Sequence, residues 1–313
     1  MKVLLPGNVD LSDLALPSTA AGFTYAVDQP VPDEHADAEV LVVWGNPEWQ
    51  LRDAAARLKG LRWVQTLAAG PDVVLAAGFP AQVVVTSGRG LHDVTVTEHT
   101  LALVLAAARR LNLLIRAQIG HRWAGELGGN QPVRDQSFRT LRDAHVVIWG
   151  FGSIAATLAP ILTALGARVT GVARTAGTRH GVTVVTEADF PTVLPTTDVL
   201  ISILPAAPST RHAFDAEVAA LLPAHAWFVN VGRGATVDEA ALLAAIRAGR
   251  LAGAALDVTE TEPLPPGSPL WDEPNVILSP HAAGGRPIGA PALILENLAA
   301  LEEGRPLRNV VER

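Results

Sequence analysis

The chain has 313 residues, enough for two domains of ordinary size, because a single domain commonly holds about 150 residues. Hydrophobic residues make up 49% of the sequence and charged residues 18%, which excludes a disordered chain. The formal net charge of -7 argues against general nucleic-acid binding, and the absence of cysteine excludes disulfides, thiolate metal ligands and a cysteine nucleophile.

Two apolar segments bear on the location of the protein. Residues 1–7 form a short apolar run that is typical of an opening β-strand and is too short for a signal peptide. The longest apolar stretch at helical spacing, residues 97–108, falls well below the ~20 residues that span a bilayer. We therefore predict a cytoplasmic protein with no membrane or nucleic-acid partner.

Short runs rich in β-branched residues alternate with Ala- and Leu-rich stretches along the chain. The runs are continuously hydrophobic, as expected of parallel strands that are buried on both faces. This alternation predicts an α/β fold. The predicted strands are residues 40–44, 63–67, 83–86, 146–148, 169–172, 199–203, 227–231, 254–258 and 276–278.

The alternation is interrupted between residues 120 and 142. Residues 121–137 are polar and glycine-rich and have no apolar period, so we predict a surface excursion there. Residues 97–110, just before it, carry apolar side chains at helical spacing and predict a helix that could join two domains.

A predicted strand, a glycine-rich turn and a helix follow one another after residue 145. In the pattern Gly-x-Gly-x-x-Ala, Gly150 permits a tight turn, Gly152 lets a pyrophosphate approach the backbone, and Ala155 lets the helix pack on the strand. The N-terminus of the helix would face the phosphates, and Pro160 is expected to kink the helix or weaken its hydrogen bonding. The pattern predicts a dinucleotide site; the alternative is an ordinary turn between strand and helix.

The next strand ends in Arg174 and Thr175, where a site that prefers NAD usually carries Asp or Glu. A guanidinium and a hydroxyl at this position suit the 2′-phosphate of NADP, because they offer a charge-assisted hydrogen bond where a carboxylate would repel it. We therefore favour NADP over NAD as the cofactor. The alternative is that Arg174 is a solvated residue at a strand end.

Three later predicted strands are each followed by a charged or titratable residue, namely Arg233, Glu262 and His281. Ligands of open α/β sheets bind outside the carboxyl ends of the strands, so these side chains could converge on one crevice. A 2-oxo acid needs a guanidinium for its carboxylate, an acid for its carbonyl oxygen and an anion that keeps the acid charged. The sequence contains no cluster with metal-ligand spacing, so we predict no metal.

The order and spacing of these motifs resemble the D-isomer-specific 2-hydroxyacid dehydrogenase family, and the resemblance covers nearly the whole chain. The segments that carry it are residues 205–211, 229–234, 256–258, Glu262-Pro263, Pro280-His281 and 304–311. The resemblance implies two Rossmann-like domains with parallel sheets, the first closed by the returning C-terminal tail. Residues 1–92 with 285–313 would form the substrate-binding domain and residues 93–284 the dinucleotide-binding domain. It also implies a homodimer.

The resemblance further assigns individual residues to the site. The expected catalytic residues are Arg233, Glu262 and His281. The expected cofactor-binding residues are Gly150, Phe151, Gly152, Ser153, Ile154, Arg174, Thr175, Leu204, Pro205, Thr210, Val231, Gly232, Asp257 and Gly284. The expected substrate-binding residues are Trp44, Ala69, Gly70, Arg233 and His281.

Some segments bear on how the substrate is held. Pro71 departs from the family's substrate loop by removing one backbone N–H after Ala69 and Gly70. Residues 284–291 are short and rich in Gly and Pro where the family commonly begins a helix. Residues 42–47, which include Trp44, resemble the glyoxylate/hydroxypyruvate reductase branch, in which Trp44 would line the substrate pocket. The alternative is that Trp44 is a large side chain that packs at a strand end.

The resemblance predicts NAD(P)H-dependent reduction of a small 2-oxo acid, such as glyoxylate or hydroxypyruvate, to the D-2-hydroxy acid. One alternative is oxidation of a small anion such as phosphite or formate; Glu262, where formate enzymes carry Gln, weighs against formate. A second is a dinucleotide-sensing regulator, against which the intact Arg233, Glu262 and His281 argue. His92 and His99, which flank the predicted joining helix, are interpreted as structural.

Overall fold

The computed structural model describes residues 1–128 and 137–312. The chain divides into two compact units: unit 1 consists of Met1–Asp93 and Gly285–Arg313, and unit 2 consists of Val94–Gly284. The chain therefore crosses between the units twice, at residues 93/94 and 284/285. No helix among the described residues is both long and apolar enough to cross a membrane.

The elements of the described residues alternate between strands and helices for most of the chain. In chain order they are β1 (Lys2–Pro6), β2 (Ala21–Tyr25), β3 (Val40–Val43), α1 (Glu48–Arg57), β4 (Trp63–Thr66), α2 (Asp72–Ala76), β5 (Val84–Thr86), α3 (Asp93–Ala108), α4 (Leu111–Ile119), β6 (His145–Trp149), α5 (Ser153–Ala164), β7 (Arg168–Val172), β8 (Gly177–Arg179), β9 (Val182–Val185), α6 (Phe190–Val193), β10 (Val199–Ser202), α7 (Ala216–Leu221), β11 (Trp227–Asn230), α8 (Glu239–Arg247), β12 (Gly253–Leu256), β13 (Val276–Leu278) and α9 (Ala290–Glu302).

Unit 1 is built on a five-stranded parallel sheet in the order β2-β1-β3-β4-β5. All four residues of β3 are buried, because apolar clusters cover both faces of the sheet. Leu51 of α1 belongs to one cluster and Ile294 of α9 to the other. The C-terminal segment then runs beside β5, where the N–H of Val311 donates to the carbonyl of Val85 at 2.9 Å.

Unit 2 contains an eight-stranded sheet in the order β13-β12-β11-β10-β6-β7-β9-β8, parallel except for the pairing of β8 with β9. The chain enters this sheet at β6, builds through β7 and β9 on one side, and then continues at β10 on the other. This reversal of strand order leaves a crevice at the carboxyl ends of β6 and β10, where open α/β sheets bind ligands. Leu158 of α5 and Leu242 of α8 lie in the apolar clusters on the two faces.

The structure confirms the predicted α/β fold with parallel sheets, and all nine predicted strands form with ends that differ by at most two residues. Strands β2, β8 and β9 were not predicted. The helix predicted at residues 97–110 begins earlier, at Asp93, and α5 continues through Pro160. Within the predicted surface excursion, residues 125–127 form one short 3-10 turn, while residues 129–136 lie outside the described part of the chain.

Candidate active site

A hydrogen-bonded pair of side chains lies at the carboxyl edge of the sheet in unit 2. His281 follows β13, Glu262 follows the neighbouring strand β12, and Nδ1 of His281 lies 2.8 Å from Oε2 of Glu262. The second carboxylate oxygen, Oε1, accepts the N–H of Thr259 at 3.1 Å. With Nδ1 engaged by a fixed carboxylate, Nε2 is the ring nitrogen suited to exchange a proton with a ligand.

Arg233 follows β11, the next strand of the same sheet. Its backbone is held by Asn230, whose Nδ2 donates to the Arg233 carbonyl at 3.1 Å and whose Oδ1 accepts the N–H of Gly232 at 3.1 Å. The hydroxyl of Thr236 donates to the same carbonyl at 2.7 Å. The guanidinium is half-buried, and its Nη1 donates to the Gly232 carbonyl at 2.8 Å.

The turns that carry Arg233 and Glu262 touch through their backbones. A Cβ at Gly234 would lie 1.9 Å from the carbonyl oxygen of Thr259, a distance that real Cβ atoms do not reach. Only glycine therefore permits this approach. The turn after Arg233 therefore packs against the start of the turn that contains Glu262. All three predicted catalytic residues follow neighbouring strands, β11, β12 and β13, at the carboxyl edge of the sheet.

Glu239, the first residue of α8, also stabilises the turn at residues 259–262, which contains Glu262. Its Oε1 accepts the N–H of Glu260 at 2.6 Å, and the Glu260 carboxylate lies 2.7 Å from Nε2 of His212. Burial raises the pKa of Glu239, the neighbouring Glu260 charge raises it further, and the Glu260 N–H opposes both effects. The sequence presents Glu239 only as a helix-start carboxylate, and its contact with Glu260 depends on tertiary packing.

The glycine-rich turn lies at the reversal of strand order and has the shape of a phosphate cradle. Gly150 has a φ of +95°, and a Cβ there would lie 2.8 Å from the carbonyl oxygen of Ile203 beyond β10. Gly152 is the N-cap of the 12-residue helix α5, and a Cβ there would meet no atom within 4 Å. The residues present therefore fit a dinucleotide, because open space adjoins backbone N–H groups at a helix N-terminus.

Arg174 and Thr175 are exposed beyond the end of β7, and a second arginine joins them. Nη2 of Arg179 donates to the carbonyl of Thr175 at 2.8 Å and contacts its hydroxyl at 2.5 Å, while Nη1 donates to the carbonyl of Phe151 at 3.4 Å. Arg179 is not among the predicted cofactor-binding residues. A signal was present, because His180 and Gly181 form a two-residue turn with positive φ between β8 and β9, and this hairpin returns Arg179 to Thr175.

The remaining predicted cofactor residues belong to the same strand ends. Thr210 closes its loop by donating to the carbonyl of Pro205 at 2.6 Å and accepting the N–H of Ala207 at 2.9 Å. Asp257 is 1% exposed and accepts backbone N–H groups from the His281 turn. Ser153 and Ile154 begin α5, Leu204 follows β10, Val231 and Gly232 follow β11, and Gly284 ends unit 2.

The predicted substrate residues Trp44, Ala69 and Gly70 lie in unit 1. The Trp44 ring stacks on His92 with ring centroids 5.4 Å apart, and Nε2 of His92 lies 2.8 Å from the carbonyl of Leu67. Ala69 is exposed in the turn between β4 and α2. Arg233, Glu262 and His281 belong to unit 2, so the predicted site residues are distributed over both units.

A cavity of about 610 Å³ adjoins the pair formed by His281 and Glu262. Its apolar wall includes Pro263, Leu264 and Trp271. Within residues 1–128 and 137–312, no group of three or more His, Asp or Glu side chains could hold a metal ion. A doubly wound sheet with this glycine turn and these strand-end side chains defines the class of dinucleotide-dependent oxidoreductases.

Comparison with known proteins narrows this class to one family. Residues 101–283 match the family profile described as D-isomer specific 2-hydroxyacid dehydrogenase, NAD binding domain. Glyoxylate/hydroxypyruvate reductase A of Salmonella newport (strain SL254) is 33% identical over 288 residues, which cover 88% of this chain and 86% of that protein. The chain belongs to the D-isomer specific 2-hydroxyacid dehydrogenase family and is an NAD(P)-dependent dehydrogenase.

Two solved structures are similar over almost their whole length. A D-isomer specific 2-hydroxyacid dehydrogenase from Xanthobacter autotrophicus Py2, in complex with NADPH and MES, has a TM-score of 0.83 and 33% identity, covering 99% of this chain and 97% of that one. An NADPH-dependent glyoxylate/hydroxypyruvate reductase from Sinorhizobium meliloti, in complex with NADP and sulfate, has a TM-score of 0.83 and 27% identity, covering 99% and 98%.

Proposed function

We propose that this protein reduces a small 2-oxo acid, with glyoxylate and hydroxypyruvate as the leading substrates, to the D-2-hydroxy acid with NADPH. The observation that carries the proposal is the 2.8 Å contact between His281 and Glu262. The turn that contains Glu262 also packs closely, at Thr259, against the turn that follows Arg233, at Gly234. The names of the Salmonella and Sinorhizobium relatives support the same substrate class.

NADPH, held by the glycine-rich turn and the first turn of α5, would supply the hydride that the carbonyl carbon accepts. His281 then donates its Nε2 proton to the carbonyl oxygen, where negative charge develops. Glu262 accepts the hydrogen bond from Nδ1, which orients the ring and leaves Nε2 towards the substrate. Arg233 binds the carboxylate of the acid and so places the carbonyl beside the proton donor.

NADPH is the proposed cofactor because two guanidinium groups lie at the end of β7, where an NAD site usually carries a carboxylate. Arg179 is anchored on Thr175 and Phe151, whereas Arg174 is exposed. An anchored arginine loses little side-chain freedom when it binds a phosphate, and an exposed one closes over it at a larger entropic cost. Gly152 and the first turn of α5 would hold the pyrophosphate.

We also propose roles for the two parts of the chain. Residues 1–92 with 285–313 form the substrate-binding domain, in which Trp44, Ala69 and Gly70 are the proposed substrate-binding residues, and residues 93–284 form the dinucleotide-binding domain. The working form is a cytoplasmic homodimer. An exposed apolar face on α4, defined by Leu111, Ile115 and Ile119, supports the homodimer, because monomers rarely leave such a stripe uncovered.

The test is a matrix of initial rates for glyoxylate, hydroxypyruvate, pyruvate and phenylpyruvate, each with NADPH and with NADH. The proposal expects the highest kcat/KM for the two leading acids with NADPH, and a His281→Ala variant that binds NADPH but turns over no acid. Binding of NADPH without turnover of any acid would overturn the proposal. Phosphite oxidation would then be assayed next, followed by ligand-dependent capture of a protein partner.

A further inference from the structure

The turn that carries His281 has an unfavourable backbone conformation. His281 has a φ of 52°, in the left-handed region that residues with a Cβ seldom occupy. Its N–H donates to the backbone carbonyl of Asp257 at 2.7 Å, and the N–H groups of Ala282 and Ala283 donate to the Asp257 carboxylate at 2.8 and 3.0 Å. Asp257 therefore holds the turn in place.

Asp257 in turn depends on side-chain donors, because a carboxylate that is 1% exposed needs its lone pairs satisfied. The Ser279 hydroxyl donates to Oδ1 of Asp257 at 2.6 Å. Nε2 of His99 lies 2.8 Å from the Ser279 hydroxyl oxygen and 3.2 Å from Oδ1 of Asp257. Since the serine proton points to Asp257, the serine oxygen accepts a hydrogen bond from His99 Nε2–H.

Helix α3 places His99 beside residues 279–284, the segment that contains His281. Thr95 and His99 are four residues apart, so both lie on one face of the helix. The Thr95 hydroxyl donates to the carbonyl of Gly284 at 2.6 Å, while His99 contacts Ser279. The first turns of α3 thus bind both ends of the segment 279–284, with His281 between the two contacts.

We propose that His99 is a positioning residue for His281, acting through Ser279 and Asp257. This inference rests on the proposed role of His281 as proton donor. Removal of the His99 imidazole leaves the serine oxygen without its donor and weakens the hold of Asp257 on the turn. His281 then leaves the geometry in which Nδ1 meets Glu262, and proton transfer slows while dinucleotide binding is retained.

The test compares His99→Ala and His99→Gln with His225→Ala. Glutamine keeps an N–H donor for Ser279, whereas alanine removes it. His225 is a matched control, because its Nε2 also meets an aspartate, Asp198 at 2.8 Å, but it precedes β11 at the opposite edge of the sheet. For His99→Ala we expect kcat for glyoxylate at least tenfold lower, with KM and the Kd of NADPH within threefold of the parent. His99→Gln should restore kcat to within threefold, and His225→Ala should leave it unchanged.

A second readout needs no catalysis. The imidazole carbon-bound proton signal of His281, assigned by its loss in His281→Ala, should shift in His99→Ala, return in His99→Gln and stay in place in His225→Ala. If the His281 signal shifts in His99→Ala but the parent reduces no acid, the positioning role stands and the proposed function is rejected. An unmoved signal with unchanged kcat in His99→Ala would overturn the positioning role. Should His99→Ala fail to fold, Ser279→Ala gives the same comparison.

Discussion

At the scale of single residues, Arg233 offers the sharpest test of substrate binding. Replacement by alanine removes the proposed charge-assisted hydrogen bond to the substrate carboxylate, and we expect this loss to cost about 3 kcal/mol, or about a hundredfold in kcat/KM for glyoxylate. Arg233→Lys should recover part of the loss, since lysine keeps the charge but not the two-pronged geometry. Steady-state kinetics of both variants check this.

Arg247 supplies the control for that measurement. It is an exposed arginine of the same unit that pairs with Glu273 at 3.1 Å. Arg247→Ala should leave kcat/KM within a fewfold of the parent. An Arg233→Ala variant as active as Arg247→Ala would show that the substrate carboxylate binds elsewhere.

Arg174 determines cofactor choice if the 2′-phosphate binds beyond β7. Arg174→Asp places a carboxylate beside that phosphate, so the Kd of NADPH should rise at least about tenfold while the Kd of NADH changes little. Titration of the quenching of tryptophan fluorescence measures both constants. Arg168→Asp, at the other end of the same strand, is the matched control. If the Kd of NADPH rises equally in the two variants, the cause is a general charge effect rather than recognition of the 2′-phosphate by Arg174.

At the scale of elements, the start of β6 contains a histidine whose titration affects stability. Nε2 of His145 meets the hydroxyl of Thr170 on β7 at 2.8 Å, and Nδ1 meets Thr196 before β10 at 3.1 Å. Burial lowers the pKa of His145 below 6.5, the Arg168 charge lowers it further, and Thr196 and Asp198 oppose the shift. The folded protein therefore keeps this imidazole neutral where the unfolded chain binds a proton.

This shift predicts a loss of stability on the acid side of neutrality. Above the unfolded pKa of 6.5 the neutral form predominates in both states, so His145 adds no pH dependence. As the pH falls through 6.5 towards the lower folded pKa, the unfolded state binds more protons and the free energy of unfolding decreases. Urea denaturation of the parent and of His145→Gln between about pH 5 and pH 8 should show a shallower pH slope in the variant. Parallel slopes would contradict the prediction.

Elements of this fold differ in how well the sequence predicts them. Buried parallel strands such as β6 are continuously apolar, so hydrophobic runs are sufficient to predict them. Because Glu262 and His281 each follow such a strand, the α/β topology predicts that both lie at the carboxyl edge of the sheet. Four of the five residues of β2 are exposed, and β8 is an edge strand of three residues, so neither has an apolar run to detect. The contacts of Glu239 and His99 arise from tertiary packing, which local sequence does not encode, whereas the turn residues His180 and Gly181 are a local signal for the hairpin that returns Arg179 to Thr175.

At the scale of the whole molecule, the described residues include an exposed apolar face on α4. Ile115 is 51% exposed and Ile119 is 73% exposed, and Trp123 beyond the helix is 97% exposed. Asn112 and Arg116 on the same helix donate to backbone carbonyls of residues 271–274, so α4 contacts its own unit through one side and leaves Ile115 and Ile119 exposed on another. A second copy of the chain, which the family resemblance leads us to expect, would cover this face at a gain of about 25 cal/mol for each Å² of apolar surface removed from water.

Sedimentation velocity of the parent should therefore give twice the chain mass of 32.8 kDa. Ile119→Glu introduces a charge into the apolar face, and because burial of an unpaired carboxylate is costly, this variant should sediment as a monomer or dissociate at concentrations where the parent does not. Trp49→Glu is the control, since Trp49 is 50% exposed on α1 of unit 1 and lies outside this face. A monomeric parent would contradict the homodimer, and a parent and Ile119→Glu variant that are equally dimeric would place the interface on another surface.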